Sequence, residues 1–320
     1  MLKPSVLTSV LAYATVGATE RAATAAARFV GSGDERAADE AAIAAMHSAV
    51  DAIGMAGRVV IGEGEMDDAP MLYVGEGLGA GSGPDIDIAL DPLEGATLVA
   101  KAMPNALAVL AIAPRGGLLR VPNIYMEKLA IGPGHKRGVV DLDALAGENA
   151  TRLARSRGVD VSEITVCVLD RPRHDRIIAD LRRAGARIYL ISDGDVAGVI
   201  HTAYPETGID MYVGVGGAPE GVLAAAALKC VGGQFQSRLF YRNDTDRQKA
   251  ARAGVTEINR RYELEDMATS DAVFAATGVT KGWLLDGVRR AGGMTHTHTL
   301  VMSSFDGTVR TIRSAAPLPG

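Results

Sequence analysis

Asp85 to Thr97 reads DIDIALDPLEGAT. Ile86, Ile88 and Leu90 alternate with Asp85, Asp87 and Ala89, the two-residue period of a strand with one apolar face, and the pattern stops at Asp91-Pro92. Such a strand delivers the Asp91 carboxylate at its end. Pro92 turns the chain, and Glu94 returns a second carboxylate three residues on. Gly95 then opens a helix start with backbone N–H groups for an anion. Carboxylates for cations beside N–H groups for a phosphate are the materials of metal-assisted phosphate ester chemistry.

The surroundings are those of a well-packed protein. With 48% hydrophobic residues among 320, the chain can bury a large core, as one α/β unit or two closely joined lobes. A formal net charge of −5 and the lack of any dense Lys/Arg stripe leave no footprint for nucleic acid. Cys167 and Cys230 sit inside apolar runs and read as buried thiols of a reducing compartment, the cytoplasm, rather than as a disulfide. Leu7, Val10, Leu11 and Ala14 fall at helical spacing, and the pattern continues through Arg21 to Phe29. It predicts an amphipathic helix rather than a signal peptide. No stretch is apolar and long enough to span a membrane.

Upstream of the opening stretch, Gly31 and Gly33 break the chain and a second helix begins near Asp34, with Ile43, Met46, Val50 and Ile53 as its buried stripe. One turn back on that stripe lies Asp39, which taken alone reads as a first-turn acid favoured by the helix dipole. Arg58–Ile61 is a short strand running into the acidic, glycine-bearing loop Gly62–Asp68. If Asp39, Glu63, Asp91 and Glu94 converge, each like-charged pair at about 5 Å repels by roughly 3 kcal/mol at an effective dielectric near 20. A cluster of that kind persists only by taking up protons or binding cations.

Downstream, Asn105–Ala113 reads as a strand, Arg115–Gly117 as a turn and Leu118–Val121 as the returning arm of a hairpin. Tyr125 and Lys128 lie at another strand and are candidates to face a ligand. After a looser stretch, Asp141–Asp160, strands alternate with helices: Ile164–Leu169, His174–Ala184, Ile188–Ile191, Val196–Thr202, Met211–Val215 and Glu220–Lys229. Alternation predicts a mainly parallel sheet, with ligands beyond the carboxyl ends of its strands. Those ends carry Arg171-Pro172-Arg173-His174, Asp193-Gly194-Asp195 and Gly214–Glu220. Pro219 replaces the third glycine of a dinucleotide fingerprint, so Glu220 is read instead as a carboxylate presented to the pocket. Asp244–Asp271 is charged and reads as helical or mobile surface; Val273–Thr277, Thr295–Met302 and Thr308–Ile312 close the chain as strands. His296 and His298 share one strand face and read as a polar face sooner than as a metal pair.

Seven segments taken together, GEGEMDDAPMLYVGE from Gly62, DIALDPLEG from Asp87, NALAVLAI from Asn105, YMEKL from Tyr125, RPRHD from Arg171, SDGDVAG from Ser192 and GVGGAPEG from Gly214, resemble the class II fructose-1,6-bisphosphatases. These belong to the magnesium-dependent, lithium-sensitive sugar and inositol phosphatases, and the resemblance runs from about Arg21 to Arg313. It implies a layered α/β/α/β/α sugar-phosphatase fold, with residues 1–155 as a metal- and phosphate-binding lobe and 156–320 as an α/β substrate lobe. It further implies a cytoplasmic homo-oligomer, dimer or tetramer, acting on fructose 1,6-bisphosphate with Mg²⁺ or Mn²⁺ in gluconeogenesis or a pentose cycle. Sedoheptulose 1,7-bisphosphate is a second substrate in some relatives.

By the same resemblance Asp39, Glu63 and Glu220 match the ligands of one cation, and Asp91 and Glu94 those of another. Glu94, Gly95 and Ala96 match the segment that holds the phosphate to be removed. Tyr125, Arg171, Pro172, Arg173, Asp193, Gly194, Asp195 and Gly217 match positions holding the sugar bisphosphate, the two arginines suiting the distal phosphate by charge and fork geometry. The implied mechanism is attack of a metal-activated water on phosphorus, assisted by a threonine and an acidic partner, for which Asp67 is the candidate.

The chain departs from this pattern at Ala96, where the family places that threonine, and at Glu35, where relatives often carry a lysine. Thr97 stands next door, but a one-residue shift at a helix start points a side chain elsewhere. Three readings stay open: a bisphosphatase with turnover reduced by roughly 10²–10⁴-fold for want of the hydroxyl, a sugar-phosphate binding protein without turnover, and a phosphatase of an inositol or nucleotide phosphate.

Overall fold

The computed structural model describes residues 6–66 and 69–317. The chain forms two compact units, Met1–Leu119 with Ala268–Gly320, and Arg120–Met267. In chain order the elements are α1 (Ser9–Ala26), α2 (Glu35–Asp51), β1 (Ala56–Ile61), β2 (Gly77–Leu78), β3 (Asp85–Glu94), α3 (Ala96–Ala100) and β4 (Leu107–Pro114). The second unit adds β5 (Tyr125–Ile131), α4 (Ala146–Arg157), β6 (Thr165–Leu169), α5 (Asp175–Ala184), β7 (Arg187–Ile191) and α6 (Asp195–His201). It continues with β8 (Met211–Gly217), α7 (Ala218–Val231), β9 (Gln234–Phe240), α8 (Asp244–Arg252), β10 (Arg261–Glu263) and α9 (Leu264–Met267). The chain then returns to the first unit with β11 (Val273–Gly278), β12 (Arg289–Ala291), β13 (Met294–Ser303) and β14 (Thr308–Pro317). The class is α/β, as the sequence predicts.

The discontinuous division differs from a boundary at 155/156. Its cause is strand pairing: β11 lies antiparallel to β4, joining the C-terminal strands to the first unit, while β5 pairs with β8 and β9 inside the second. No helix among the described residues is long and apolar enough to cross a membrane.

In the first unit the sheet order is β12-β13-β11-β4-β3-β1-β2, with β14 on β13. α1 and α2 cover it through Leu11, Val16, Met46 and Val50 against Ile88, Leu90 and Leu110. The Asp34 side chain caps α2 by accepting the Ala37 N–H at 2.9 Å, which explains its start. Two expectations change. Val10 points to solvent rather than into the α1 stripe, because Ala12, Thr15 and Val16 supply the packed face. β3 is buried on both faces, not one, since it is central; Asp87 tolerates this by accepting the Gly116 N–H at 2.7 Å beside Arg115.

The second unit's sheet, β10-β9-β5-β8-β6-β7, is mixed rather than mainly parallel. The alternating strands β6, β7 and β8 are parallel, but β5 and β9 enter from segments outside that alternation and pair antiparallel. The expected hairpin arm Leu118–Val121 is likewise no strand: Leu118 makes a single bridge to Ala268, and both edges of β4 are taken by β3 and β11.

Candidate active site

β3 does not stop at Asp91-Pro92 but runs on to Glu94, with a register slip against β4. Asp91 faces Val109 and Glu94 faces Leu107, so three steps on β3 match two on its partner. An ordinary strand would send residues three apart to opposite faces; the extra residue of the bulge cancels that inversion. Ligand oxygens of Asp91 and Glu94 accordingly lie within 4.8 Å of one another, with Glu94 only 5% exposed. Asp91 Oδ1 also accepts the Leu93 N–H at 3.0 Å, which fixes its carboxylate at the bend. Pro92 sits in the bulge, where a missing N–H costs no ladder bond.

Gly95 follows in the left-handed region, φ 91 and ψ 52, as N-cap of α3. A Cβ there would meet Leu98 Cδ1 at 2.8 Å as well as the positive φ, so the turn from Glu94 into α3 needs glycine. The Leu98 and Val99 N–H groups both reach the Gly95 carbonyl, leaving the N–H groups of Gly95, Ala96 and Thr97 as the first-turn donors that no intrahelical carbonyl satisfies. Ala96 packs its methyl against the apolar core, and Thr97 is half-buried.

Two further predicted ligands of this unit stand on other segments. Asp39 is half-buried on α2, and its carboxyl is pushed above its ordinary range first by burial and then by the neighbouring Glu40. Glu63 follows β1 in a loop pinned by its own N–H to the Leu72 carbonyl, 3.0 Å; a Cβ at Gly62 would strike that carbonyl at 2.0 Å. Among the described residues, Asp39 and Glu63 belong to no group of three or more ligand atoms within 4.8 Å of one another. Asp67 lies outside the described residues, and Glu35 is exposed in the first turn of α2.

In the second unit the strand ends gather the other candidates. Tyr125 opens β5, and two guanidinium groups lie over its ring: Arg173 at 4.9 Å and Arg242 at 4.2 Å from the centroid. Arg173 Nε donates to the Val215 carbonyl at 2.8 Å. Pro172 and Arg173 are exposed and Arg171 is half-buried. His174, fully buried, holds this loop to the sheet: Nδ1 donates to the Leu169 carbonyl at 2.7 Å and Nε2 accepts the Val215 N–H at 2.8 Å. Burial pushes its pKa below the ordinary histidine value, consistent with a neutral ring.

Gly194, at φ 82, caps α6 and turns the chain between Asp193 and Asp195. Asp193 is half-buried and accepts the Gly194 N–H at 3.1 Å. Asp195, 6% exposed, has one oxygen 2.6 Å from Lys128 Nζ, itself 1% exposed. Glu220 stands in the first turn of α7, folded over Gly217; a Cβ at Gly217 would fall 1.9 Å from Glu220 Oε2.

Two functional candidates escaped the sequence. Arg242 is fixed by Asp246 through Nε at 2.8 Å and Nη2 at 3.0 Å, an i,i+4 spacing whose first member precedes the charged stretch Asp244–Asp271 and is given no role by the sequence reading. His174 was visible only as part of RPRHD; its anchoring role depends on Val215, 41 residues away.

Hard carboxylate oxygens at Asp39, Glu63, Asp91, Glu94 and Glu220 suit Mg²⁺ or Mn²⁺ by donor type. The chain's residues 9–316 match the family model described as bacterial fructose-1,6-bisphosphatase, glpX-encoded. It is 43% identical over 309 residues to the fructose-1,6-bisphosphatase 1 class 2 of Escherichia coli strain K12, covering 92% of each chain. The same identity and coverage relate it to the class 2 fructose-1,6-bisphosphatases of Escherichia coli O6:H1 and Shigella flexneri.

Proposed function

The chain belongs to the glpX-encoded bacterial fructose-1,6-bisphosphatases, and from that membership we propose how its residues divide the hydrolysis of fructose 1,6-bisphosphate into fructose 6-phosphate and inorganic phosphate. The observation that carries the reading is the β3 bulge, which sets Asp91 and Glu94 side by side immediately before the first-turn N–H groups at Gly95, Ala96 and Thr97.

Asp91 and Glu94 would hold one divalent cation, Mg²⁺ or Mn²⁺, and Asp39, Glu63 and Glu220 a second. Bound there, the cations would screen the anionic ester and offset charge developing on the leaving alkoxide. The N–H groups at Gly95–Thr97 take the oxygens of the 1-phosphate. Arg173, with its Nε on the Val215 carbonyl, keeps its other donors for the distal phosphate, and Arg171 approaches from the same loop. Tyr125 is clasped by Arg173 and Arg242 and lines the sugar. Asp193, and the Asp195 oxygen not engaged by Lys128, accept sugar hydroxyls. Asp67 serves as acid–base partner. The same set accommodates sedoheptulose 1,7-bisphosphate, whose phosphates also stand at opposite ends of the sugar. On this reading the enzyme works in the cytoplasm as a homo-oligomer.

Ala96 favours one second reading, a binding protein that keeps the pocket without turnover. Phosphate release from fructose 1,6-bisphosphate with Mg²⁺ or Mn²⁺, against an EDTA control and against Arg173→Ala, tests both. Metal-dependent release, with KM raised in the variant, supports the enzyme. Saturable substrate binding without release supports the binding protein, and neither release nor binding overturns the substrate assignment.

A further inference from the structure

The first unit contains a cavity of about 910 Å³ that the proposed chemistry does not use. Its charged lining is lopsided: Lys281, Arg289 and Arg313 stand against the single carboxylate of Asp286. Asp286 is committed to Arg313, 2.6 Å away. Lys281 and Arg289 form no ion pair among the described residues.

His296, Thr297 and His298 of β13 line this cavity, and strand register places two of the cations beside them. His296 pairs with Arg289 on β12 and His298 with Arg313 on β14. His298 is 7% exposed. Its Nδ1 accepts the Asp286 N–H at 2.9 Å, so in the neutral ring the proton resides on Nε2. That Nε2 donor is buried and has no hydrogen-bond partner among the described residues. Burial, then Arg313, pushes the His298 pKa down, in keeping with the neutral ring. A buried donor left without an acceptor, beside three cations that share one carboxylate, asks for an anion. Trp283, exposed at the rim, and the apolar wall of Met103 and Val288 add a surface for a carbon skeleton.

We propose that the cavity between β12, β13, β14 and the Lys281–Val288 loop binds a small phosphate-bearing organic molecule, its phosphate received by His298 Nε2, Lys281, Arg289 and Arg313. This site is independent of the proposed catalytic residues. An apolar group against Trp283 and the wall adds about tenfold or more in affinity over inorganic phosphate.

Trp283 is the only tryptophan of the sequence, so its fluorescence reports this cavity directly. The full-length protein is titrated in EDTA with phenylphosphonate, inorganic phosphate and benzoate. The expected result is a saturable change with phenylphosphonate, half-complete at about one tenth of the inorganic phosphate concentration or less, and a much weaker response to benzoate. Arg289→Ala, an exposed position that leaves packing intact, raises the half-saturating concentration about tenfold; His298→Gln does the same, while Arg173→Ala leaves the curve unchanged. No saturable response, or one indifferent to both Arg289→Ala and His298→Gln, overturns the site. Benzoate binding as tightly as phenylphosphonate overturns the phosphate assignment, and a response lost in Arg173→Ala assigns the signal to the substrate pocket instead.

Discussion

Lys128 Nζ lies 2.6 Å from Asp195 Oδ2, and neither side chain is more than marginally exposed. The pair crosses the second sheet from β5 to the start of α6, over Gly216, where a Cβ would fall 1.9 Å from the Asp195 oxygen. Its desolvation is offset only while both charges are present. Lys128→Met strands the Asp195 carboxylate and is expected to cost about 3–5 kcal/mol. The double variant Lys128→Met/Asp195→Leu should recover most of that loss. Urea unfolding of the two singles and the double checks this; additive losses would show that the pair is not coupled.

Gly217 bears on the proposed cation site through Glu220. Its φ of −63 and ψ of 140 suit any residue, so alanine there meets no backbone strain. The added Cβ instead occupies the place of the Glu220 carboxylate, 1.9 Å from Oε2. Gly217→Ala should therefore leave the melting temperature nearly unchanged while raising the metal concentration for half-maximal activity about tenfold or more, as loss of a positioned ligand does. An unchanged metal requirement would remove Glu220 from the cation site.

The parts of this fold that could be read early are those set by neighbours in sequence. β6, β7 and β8 announce themselves by apolar runs between helices, and the α2 cap by Asp34 before Ala37. What depends on distant pairing was hidden. β4 offers both edges to other strands, so a local return at Leu118–Val121 had nothing to pair with. Asp195 reads in the sequence as a strand-end ligand candidate, and its buried pairing with Lys128, 67 residues earlier, has no local signal. Asp91 and Glu94 were legible as carboxylates three apart, but their common face comes from a bulge that only the β4 register reveals.

Acid should weaken the second unit through His201. This residue of α6 is 2% exposed, and burial lowers its pKa from 6.5 to about 4. Above pH 6.5 the ring is neutral in both folded and unfolded chains and stability is complete. As pH falls below 6.5 the unfolded state takes up the proton first, and the loss grows until the folded pKa near 4 is reached. At pH 5 the expected loss is about 2 kcal/mol. Unfolding midpoints between pH 7.5 and 5, compared with His201→Asn, measure it; the same slope in the variant would assign the effect to other groups.

We expect turnover to depend on position 96. The Ala96 methyl packs against the apolar core at the first position of α3, directly after the Gly95 turn, where the resemblance implies a threonine hydroxyl. Thr97, one position on, is rotated by about 100° around the helix and cannot present its hydroxyl at the same point. Ala96→Thr restores the hydroxyl at a half-buried position with little repacking. If that group orients or deprotonates the attacking water, kcat should rise about 10²–10⁴-fold with KM for fructose 1,6-bisphosphate little changed. A gain confined to KM would mean the hydroxyl binds substrate rather than assists the chemistry. No gain at all, with Thr97→Ala abolishing activity, would show that this chain has moved the role one residue along α3.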